Sequence, residues 1–293
     1  MNDIAVIGAG PAGIAAAVYL KRAGFDVNVF ERKEIGGLLL NAHMVENYPG
    51  IPKGIKGTRL CRLMEEHLKV WRIKPVMEEI RRIIVTERNE FVLAASHGRR
   101  RRFRAAVLAM GTHHNELGIP GEAEMKGKRV FYETRDLVPK LEPGDRCIVV
   151  GGGDAAFDYS LSLVDENVEV AICYRSKEPR CLPLLRKRVE KKSGIRLHPL
   201  LSPVRISSCG GELEMVFSCA KNKVYMNIPS DHILIACGRT PNTELLSAGL
   251  KHKDVPGLFL AGDILSGRAR QVGIAVGSGI LAAIEAERYL KGC

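Results

Sequence analysis

The chain has 293 residues, 46% of them apolar and 26% charged, a balance that fits a folded protein large enough for two modest α/β domains. No run of about 18 apolar residues occurs, so no membrane-spanning helix is expected. The start lacks the basic segment and cleavable small-residue site of a signal peptide, which points to a cytoplasmic protein. The formal net charge of +11 is high, and Arg99, Arg100, Arg101, Arg102 and Arg104 concentrate part of it just after Ser96-His97-Gly98. That cluster reads either as a solvated, arginine-rich hairpin or as a landing patch for an acidic electron-carrier protein. Nucleic-acid binding ranks last, because aromatics make up only 5% and no stacking platform accompanies the charge.

The first element is an apolar strand, Asp3 to Ile7, that runs into the turn Gly8-Ala9-Gly10-Pro11-Ala12-Gly13. An alanine-rich helix, Ile14 to Arg22, follows and ends at Gly24. The next strand, Val27 to Phe30, delivers Glu31 eighteen residues after Gly13. Gly8 permits the tight turn, Gly10 lets the backbone approach a pyrophosphate, and Gly13 lets helix and strand pack closely. The helix start offers unpaired N–H groups and a positive dipole end to phosphates. Glu31, read as unpaired at the strand end, would accept from ribose hydroxyls. Strands are predicted at Phe91 to Ala95 and Phe103 to Ala109, ending at Gly111-Thr112.

A second unit of the same kind begins with the strand Cys147 to Val150 and the turn Gly151-Gly152-Gly153-Asp154-Ala155-Ala156, with Ala156 in the third glycine's place. A helix from Ala155 to Val164 and a strand from Val168 to Cys173 follow. No acid occupies the place of Glu31; Arg175, Lys177 and Arg180 instead offer cations to a 2′-phosphate, which favours NADPH over NADH. Short strands from Val204 to Cys237 form a further sheet closed by Gly238. The tail holds a strand, Leu258 to Ala261, then Gly262-Asp263 and a helix from Val272 to Leu290. The fold class is therefore α/β, with two Rossmann-like dinucleotide-binding domains.

The eight cysteines stand at 61, 147, 173, 181, 209, 219, 237 and 293, and no two have C-x-x-C spacing. They show no zinc pair and no vicinal redox disulfide, and read mainly as small apolar residues. About the turn Gly210-Gly211, antiparallel pairing sets Cys209 opposite Glu212 and leaves Cys219 farther along the ladder, a poor disulfide geometry. No metal site is expected.

In order, GAGPAG (8–13), Gly36-Gly37, VENYPG (45–50), LGIPGE (117–122), GGGDAA (151–156), the segment from Gly238 to Asn242, AGD (261–263), RQVGIAVGSG (270–279) and AERYL (286–290) resemble the low-molecular-weight thioredoxin reductase family, including its ferredoxin–NADP reductase branch. The resemblance covers nearly the whole chain. It implies a discontinuous FAD domain, 1–115 and 243–293, with the NADP domain, 116–242, inserted, and a homodimer. The residues it assigns to FAD are Gly8, Gly10, Ala12, Gly13, Glu31, Arg32, Gly37, Leu38, Asn47, Gly111, Gly262, Asp263, Gln271 and Val272. Those for NADP are Gly151, Gly153, Asp154, Ala155, Ala156, Arg175, Lys177 and Arg180. Gln271 and Val272 would set a helix start beside the flavin pyrimidine. No catalytic side chain is required, because the flavin carries the chemistry.

Three departures follow. The family's C-x-x-C is replaced here by Tyr132-Glu133-Thr134-Arg135, followed by Asp136, and neither tyrosine nor arginine can exchange disulfides. The stretch from Asn242 to Val255 is short, and the chain ends soon after Leu290 without a flavin-covering segment. Apart from these three, Met110 stands where the family commonly has threonine. The expected function is an NADPH:acceptor oxidoreductase whose acceptor is a ferredoxin- or flavodoxin-like carrier or a small oxidant. The alternatives are a disulfide reductase using a displaced cysteine such as Cys293, and a flavin-binding regulator without turnover. His43 is a flavin-side candidate; His113 and His114 read as solvent-facing linker residues.

Overall fold

The computed structural model describes residues 2–209, 212–220, 224–245, 255–265, 267 and 269–292. The chain begins with β1 (Asn2–Ile7), α1 (Pro11–Arg22), β2 (Val27–Phe30), α2 (Gly57–Val70), β3 (Ile80–Val85), β4 (Phe91–Ala95), β5 (Arg100–Leu108) and β6 (Thr112–His114). It continues through α3 (Glu122–Met125), β7 (Val130–Phe131), α4 (Thr134–Leu137), β8 (Arg146–Val150), α5 (Asp154–Val164), β9 (Glu169–Tyr174), α6 (Pro183–Glu190) and β10 (Ile195–Pro199). The remaining elements are β11 (Leu201–Cys209), β12 (Glu212–Cys219), β13 (Tyr225–Ser230), β14 (His232–Ile235), β15 (Arg239–Pro241), β16 (Leu258–Leu260) and α7 (Val272–Lys291).

Two compact units result. The first comprises Met1–Leu40, Val45–His113 and Pro241–Cys293; the second comprises Asn41–Met44 and His114–Thr240. The sequence boundaries lie at 115/116 and 242/243, two residues beyond these crossings. The assignment of Asn41–Met44 to the second unit has no local signal. The chain passes between the units at β6 and β15, which pair with each other.

In the first unit β1 lies between β2 and β5, parallel to both. The sheet continues through β4 and β3 as an antiparallel meander, and the later part of β5 pairs with β16. Strands covered on both faces read as apolar runs, as Ile4 to Ile7 and Ala105 to Leu108 do. Helix α1 starts with proline at its first turn and ends with Lys21 and Arg22, suiting both ends of its dipole. Small residues let α1 and α7 approach closely: Ala16, Ala17, Ala282, Ala283 and Ala286 are buried in one cluster. On the other face Phe30, Phe91, Phe103, Leu93 and Leu108 form a second core.

The second unit is built on a parallel sheet ordered β10-β9-β8-β14-β7, with a separate antiparallel sheet β11-β12-β13. This corrects the expectation that all the short strands from Val204 to Cys237 share one sheet. His232–Ile235 pairs with β8 and β7, a non-local partnership that an apolar run of four residues does not reveal. The β11–β12 register sets Cys209 opposite Glu212 and Cys219 opposite Leu201, as the turn arithmetic requires. Among the described residues no helix is long and apolar enough to cross a membrane.

Candidate functional site

Each glycine of the first turn has a distinct local reason. Gly8 has φ +106, and a Cβ there would lie 2.3 Å from the Ala109 carbonyl oxygen. A Cβ on Gly13 would lie 1.8 Å from the Gly8 oxygen, so the start of α1 rests directly on the turn. Gly10 differs: a Cβ there would meet nothing within 4 Å. It caps α1 in an extended conformation with no side chain capping the helix. Open space over a helix start whose N–H groups face outward is the cradle a diphosphate needs. Gly37, at φ +56, brings its own wall close, since a Cβ there would be 3.5 Å from Gly10 Cα.

Glu31 is buried, and its two oxygens accept from the Ala9 N–H at 2.8 Å and the Lys33 N–H at 2.9 Å. The expectation of an unpaired carboxylate is corrected: a buried charge needs donors, and the turn itself supplies one. A carboxylate has about four lone-pair positions, so capacity for ribose hydroxyls remains. Arg32 beside it is exposed, and Leu38 lies in the 3-10 turn Gly37–Asn41.

Two further segments meet α1. A Cβ on Gly279 of α7 would be 2.1 Å from the Ala12 oxygen, and one on Gly262 would be 2.8 Å from the Ala12 Cβ. The Gly262 N–H donates to Ser278 Oγ at 2.8 Å, fixing the short turn Gly262–Ile264 that carries Asp263. Gln271 caps α7 in extended geometry, Val272 opens the helix, and Asn47 Nδ2 donates to Gln271 Oε1 at 2.8 Å. Asn47 and Gln271, 224 residues apart, are thus joined. Gly111, at φ +63, accepts from the Asn242 N–H at 3.0 Å.

Asn242, Ser278 and Gly279 were not singled out from sequence. Asn242 is buried, donates from Nδ2 to the Met110 oxygen at 2.7 Å, and meets His113 Nδ1 through Oδ1 at 2.8 Å. Met110 itself packs against the Phe30 and Leu108 core. The available signal was Gly279 in an alanine-rich helix, where glycine costs about 1 kcal/mol relative to alanine unless close packing requires it.

The second turn repeats the design. Gly151 has φ +150, and a Cβ there would sit 2.5 Å from the Ala236 oxygen and 3.2 Å from the Ala156 Cβ, so the position needs glycine while Ala156, fully buried, fills the third place. Gly153 caps α5, and a Cβ on it would meet nothing within 4 Å. Asp154 and Ala155 are exposed at the helix start; Asp154 Oδ1 accepts from the Leu182 N–H at 2.8 Å. Arg175, Lys177 and Arg180 are exposed, and among the described residues none of them forms an ion pair.

The segment Tyr132 to Asp136 is tightly built. Tyr132 is buried, donates to Glu122 Oε1 at 2.8 Å, and stacks on His114 with ring centroids 3.8 Å apart. Burial pushes the His114 imidazole below its usual range, with Lys126 and Arg239 adding to this. Burial alone would raise the Glu133 carboxyl, but Arg135 at 2.8 Å and Arg239 at 3.0 Å hold it below the ordinary range, with Asn41 also donating. The linker-histidine expectation is corrected for His114, whose ring is stacked. His43 is corrected too: it belongs to the second unit, where its N–H donates to Asp158 and Nε2 meets Asp165 at 3.0 Å. Among the described residues no group of histidine, cysteine and acidic side chains could hold a metal ion. Cys293 lies outside the described residues.

The profile of the family described as pyridine nucleotide-disulphide oxidoreductase matches residues 2–279. A thioredoxin reductase of Mycolicibacterium smegmatis is 29% identical over 99% of this chain and 97% of its own length. One of Listeria innocua is 30% identical over 99% and 94%. Among solved structures, the thioredoxin reductase of Lactococcus lactis in its FR conformation superposes with a TM-score of 0.91 at 26% identity, covering 100% of both chains.

Proposed function

The chain belongs to the pyridine nucleotide-disulphide oxidoreductase family, and from that premise we propose that it passes electrons from NADPH through FAD to an acceptor that is not a disulfide of the thioredoxin type. FAD and NADPH are its cofactors. The observation that carries the reading is the segment Tyr132-Glu133-Thr134-Arg135, which holds no sulfur, in a chain with no C-x-x-C anywhere. Its hydrogen bonds and ion pairs make it a finished structural element.

FAD, when bound, supplies the ring that takes hydride from the nicotinamide. The protein's own part is binding and orientation. Gly10 leaves room for the FAD diphosphate at the start of α1, and Glu31 accepts from the ribose while fixed by the Ala9 N–H. Asp263 and the Asn47–Gln271 pair frame the remainder at the start of α7. Gly153 leaves room at α5 for the NADPH diphosphate, and Arg175, Lys177 and Arg180 receive its 2′-phosphate. A homodimer belongs to the same reading; Ile274, Ile280 and Leu281 expose apolar surface along α7.

The family name keeps a disulfide acceptor as the second reading. The described cysteines give it little support: Cys61, Cys147 and Cys173 are buried, Cys181 and Cys219 are half-buried, and burial pushes the thiol of Cys173 up to about 12 and that of Cys237, which reaches the surface, up to about 11. The test is anaerobic reduction of the FAD-loaded protein by NADPH, then a screen of an acidic ferredoxin, a flavodoxin, quinones and disulfides. Bleaching of the flavin band, with turnover on a carrier or quinone and none on disulfides, is expected. Steady NADPH-dependent thiol formation would overturn the proposal, and failure of NADPH to bleach the flavin would leave a binding protein without turnover.

A further inference from the structure

Asp154 stands at the start of α5, where its charge suits the helix dipole but would repel a phosphate bound at the same helix end. Its carboxylate is engaged elsewhere: Oδ1 accepts from the Leu182 N–H at 2.8 Å, across 28 residues of sequence. A second clamp lies two residues away on each strand of the connection, where the Arg180 N–H donates to the Gly152 oxygen at 2.6 Å. At the near end of the same loop, a Cβ on Gly152 would sit 3.0 Å from the Tyr174 Cβ, so the loop leaves β9 against the turn itself. The stretch from Tyr174 to Leu182 is thereby tied at both ends to the glycine turn.

The loop's charges are sorted as well. Its one acid, Glu178, pairs with Arg186 of α6, which also pairs with Glu190. Arg175, Lys177 and Arg180 are left exposed without ion pairs among the described residues. The arrangement presents three uncompensated cations from a loop pinned to the helix start. We propose that Asp154 is a positioning residue for 2′-phosphate recognition, acting through the Leu182 N–H to hold the Arg175–Arg180 loop in register with the glycine turn. This rests on the reading that the second unit takes NADPH.

The two possible roles of Asp154 have opposite signs. As a mere anion near a phosphate site, its removal would tighten binding; as a clamp, its removal would weaken it. The probe is 2′,5′-ADP, with 5′-AMP as the control lacking the 2′-phosphate, titrated calorimetrically into the FAD-loaded protein. For Asp154→Ala, 2′,5′-ADP affinity is expected to fall about tenfold, the effect of losing one hydrogen bond to a charged group, while 5′-AMP binding changes less than twofold. Asp154→Asn, whose carbonyl oxygen accepts the same N–H, is expected to bind 2′,5′-ADP at least as tightly as the wild type. Amide hydrogen exchange without ligand should accelerate at 176–182 in Asp154→Ala and not in Asp154→Asn. Tighter or unchanged 2′,5′-ADP binding by Asp154→Ala would overturn the clamp. A wild-type protein that does not distinguish 2′,5′-ADP from 5′-AMP would instead overturn the NADPH reading beneath it.

Discussion

Gly10 and Gly13 belong to one turn, yet alanine at each should fail for different reasons. At Gly10 the backbone is extended, φ −78 and ψ −179, which alanine adopts freely, and the new Cβ would touch nothing within 4 Å. Alanine at a helix cap is worse than glycine by several tenths of a kcal/mol, while the reduced freedom of the unfolded chain returns about 0.4–1 kcal/mol. The apoprotein should therefore unfold within about 0.5 kcal/mol of the wild type. The added methyl would occupy the space over the α1 start, and overfilling a packed contact costs about 1–3 kcal/mol. FAD affinity should fall about 5- to 150-fold. At Gly13 the Cβ would lie 1.8 Å from the Gly8 oxygen and 3.0 Å from its carbon, so α1 must retreat from the turn. There the apoprotein itself should lose about 3 kcal/mol. Urea unfolding of the apoprotein and quenching of FAD fluorescence on titration measure the two quantities separately. Wild-type FAD affinity in Gly10→Ala would refute the placement of the diphosphate over that helix start.

Arg175→Ala should raise the KM for NADPH about tenfold, with the KM for NADH nearly unchanged, because only the 2′-phosphate loses a charge-assisted partner; anaerobic stopped-flow with both nucleotides checks this. Glu133→Gln should destabilise the protein by about 3–5 kcal/mol at pH 7, since it breaks the ion pairs that Glu133 makes with Arg135 and Arg239, which are only 16% and 15% exposed. The folded carboxyl titrates below its ordinary value, so its contribution is present above about pH 4.3 and is lost as pH falls through the depressed folded value. The gap between wild type and Glu133→Gln in urea unfolding should accordingly narrow below pH 4, and a gap that widens in acid would contradict the ion pairing.

What sequence made legible was whatever repeats locally. Strand, glycine turn, helix and strand follow one another from Asn2 to Phe30 and from Arg146 to Tyr174, so Gly8 to Gly13 and Gly151 to Ala156 declare themselves through steric requirements that act between chain neighbours. Partnerships across the fold left no such mark. Glu31 reads as a free acid until Ala9 is seen to donate to it. Asp154 reads as a ligand residue until Leu182 is found on its oxygen. His43 follows a flavin-side turn by sequence, yet its partners Asp158 and Asp165 lie more than 100 residues away. Helix α2 carries weak flanking signals, since Lys56 precedes it and supplies no side-chain cap, although Leu60, Cys61 and Leu68 bury one face of it.

The arginine cluster and the glycine turn lie at opposite ends of β5. Arg82, Ala94 and Arg100 are cross-strand neighbours on one face of the meander, and Ile84, Val92 and Arg102 form the next row. Arg101 alternates to the other face, where it meets Glu78 and lies over the Phe30 ring. The exposed arginines therefore occupy the amino end of β5. The glycine turn adjoins its carboxyl end, where Leu108 pairs with Ile7. Six residues of strand separate Arg102 from Leu108, roughly 20 Å at about 3.3 Å per residue. A carrier seated squarely on the arginine rows would hold its redox centre that far from the cofactor end of the sheet, and electron transfer weakens steeply with distance. The net charge of +11 can still speed encounter with acidic proteins, and with FAD at the glycine turn, as proposed, an acceptor would have to approach the carboxyl ends of β1, β5 and β16. Salt can then slow capture of an acidic acceptor without the arginine rows being where the electrons leave.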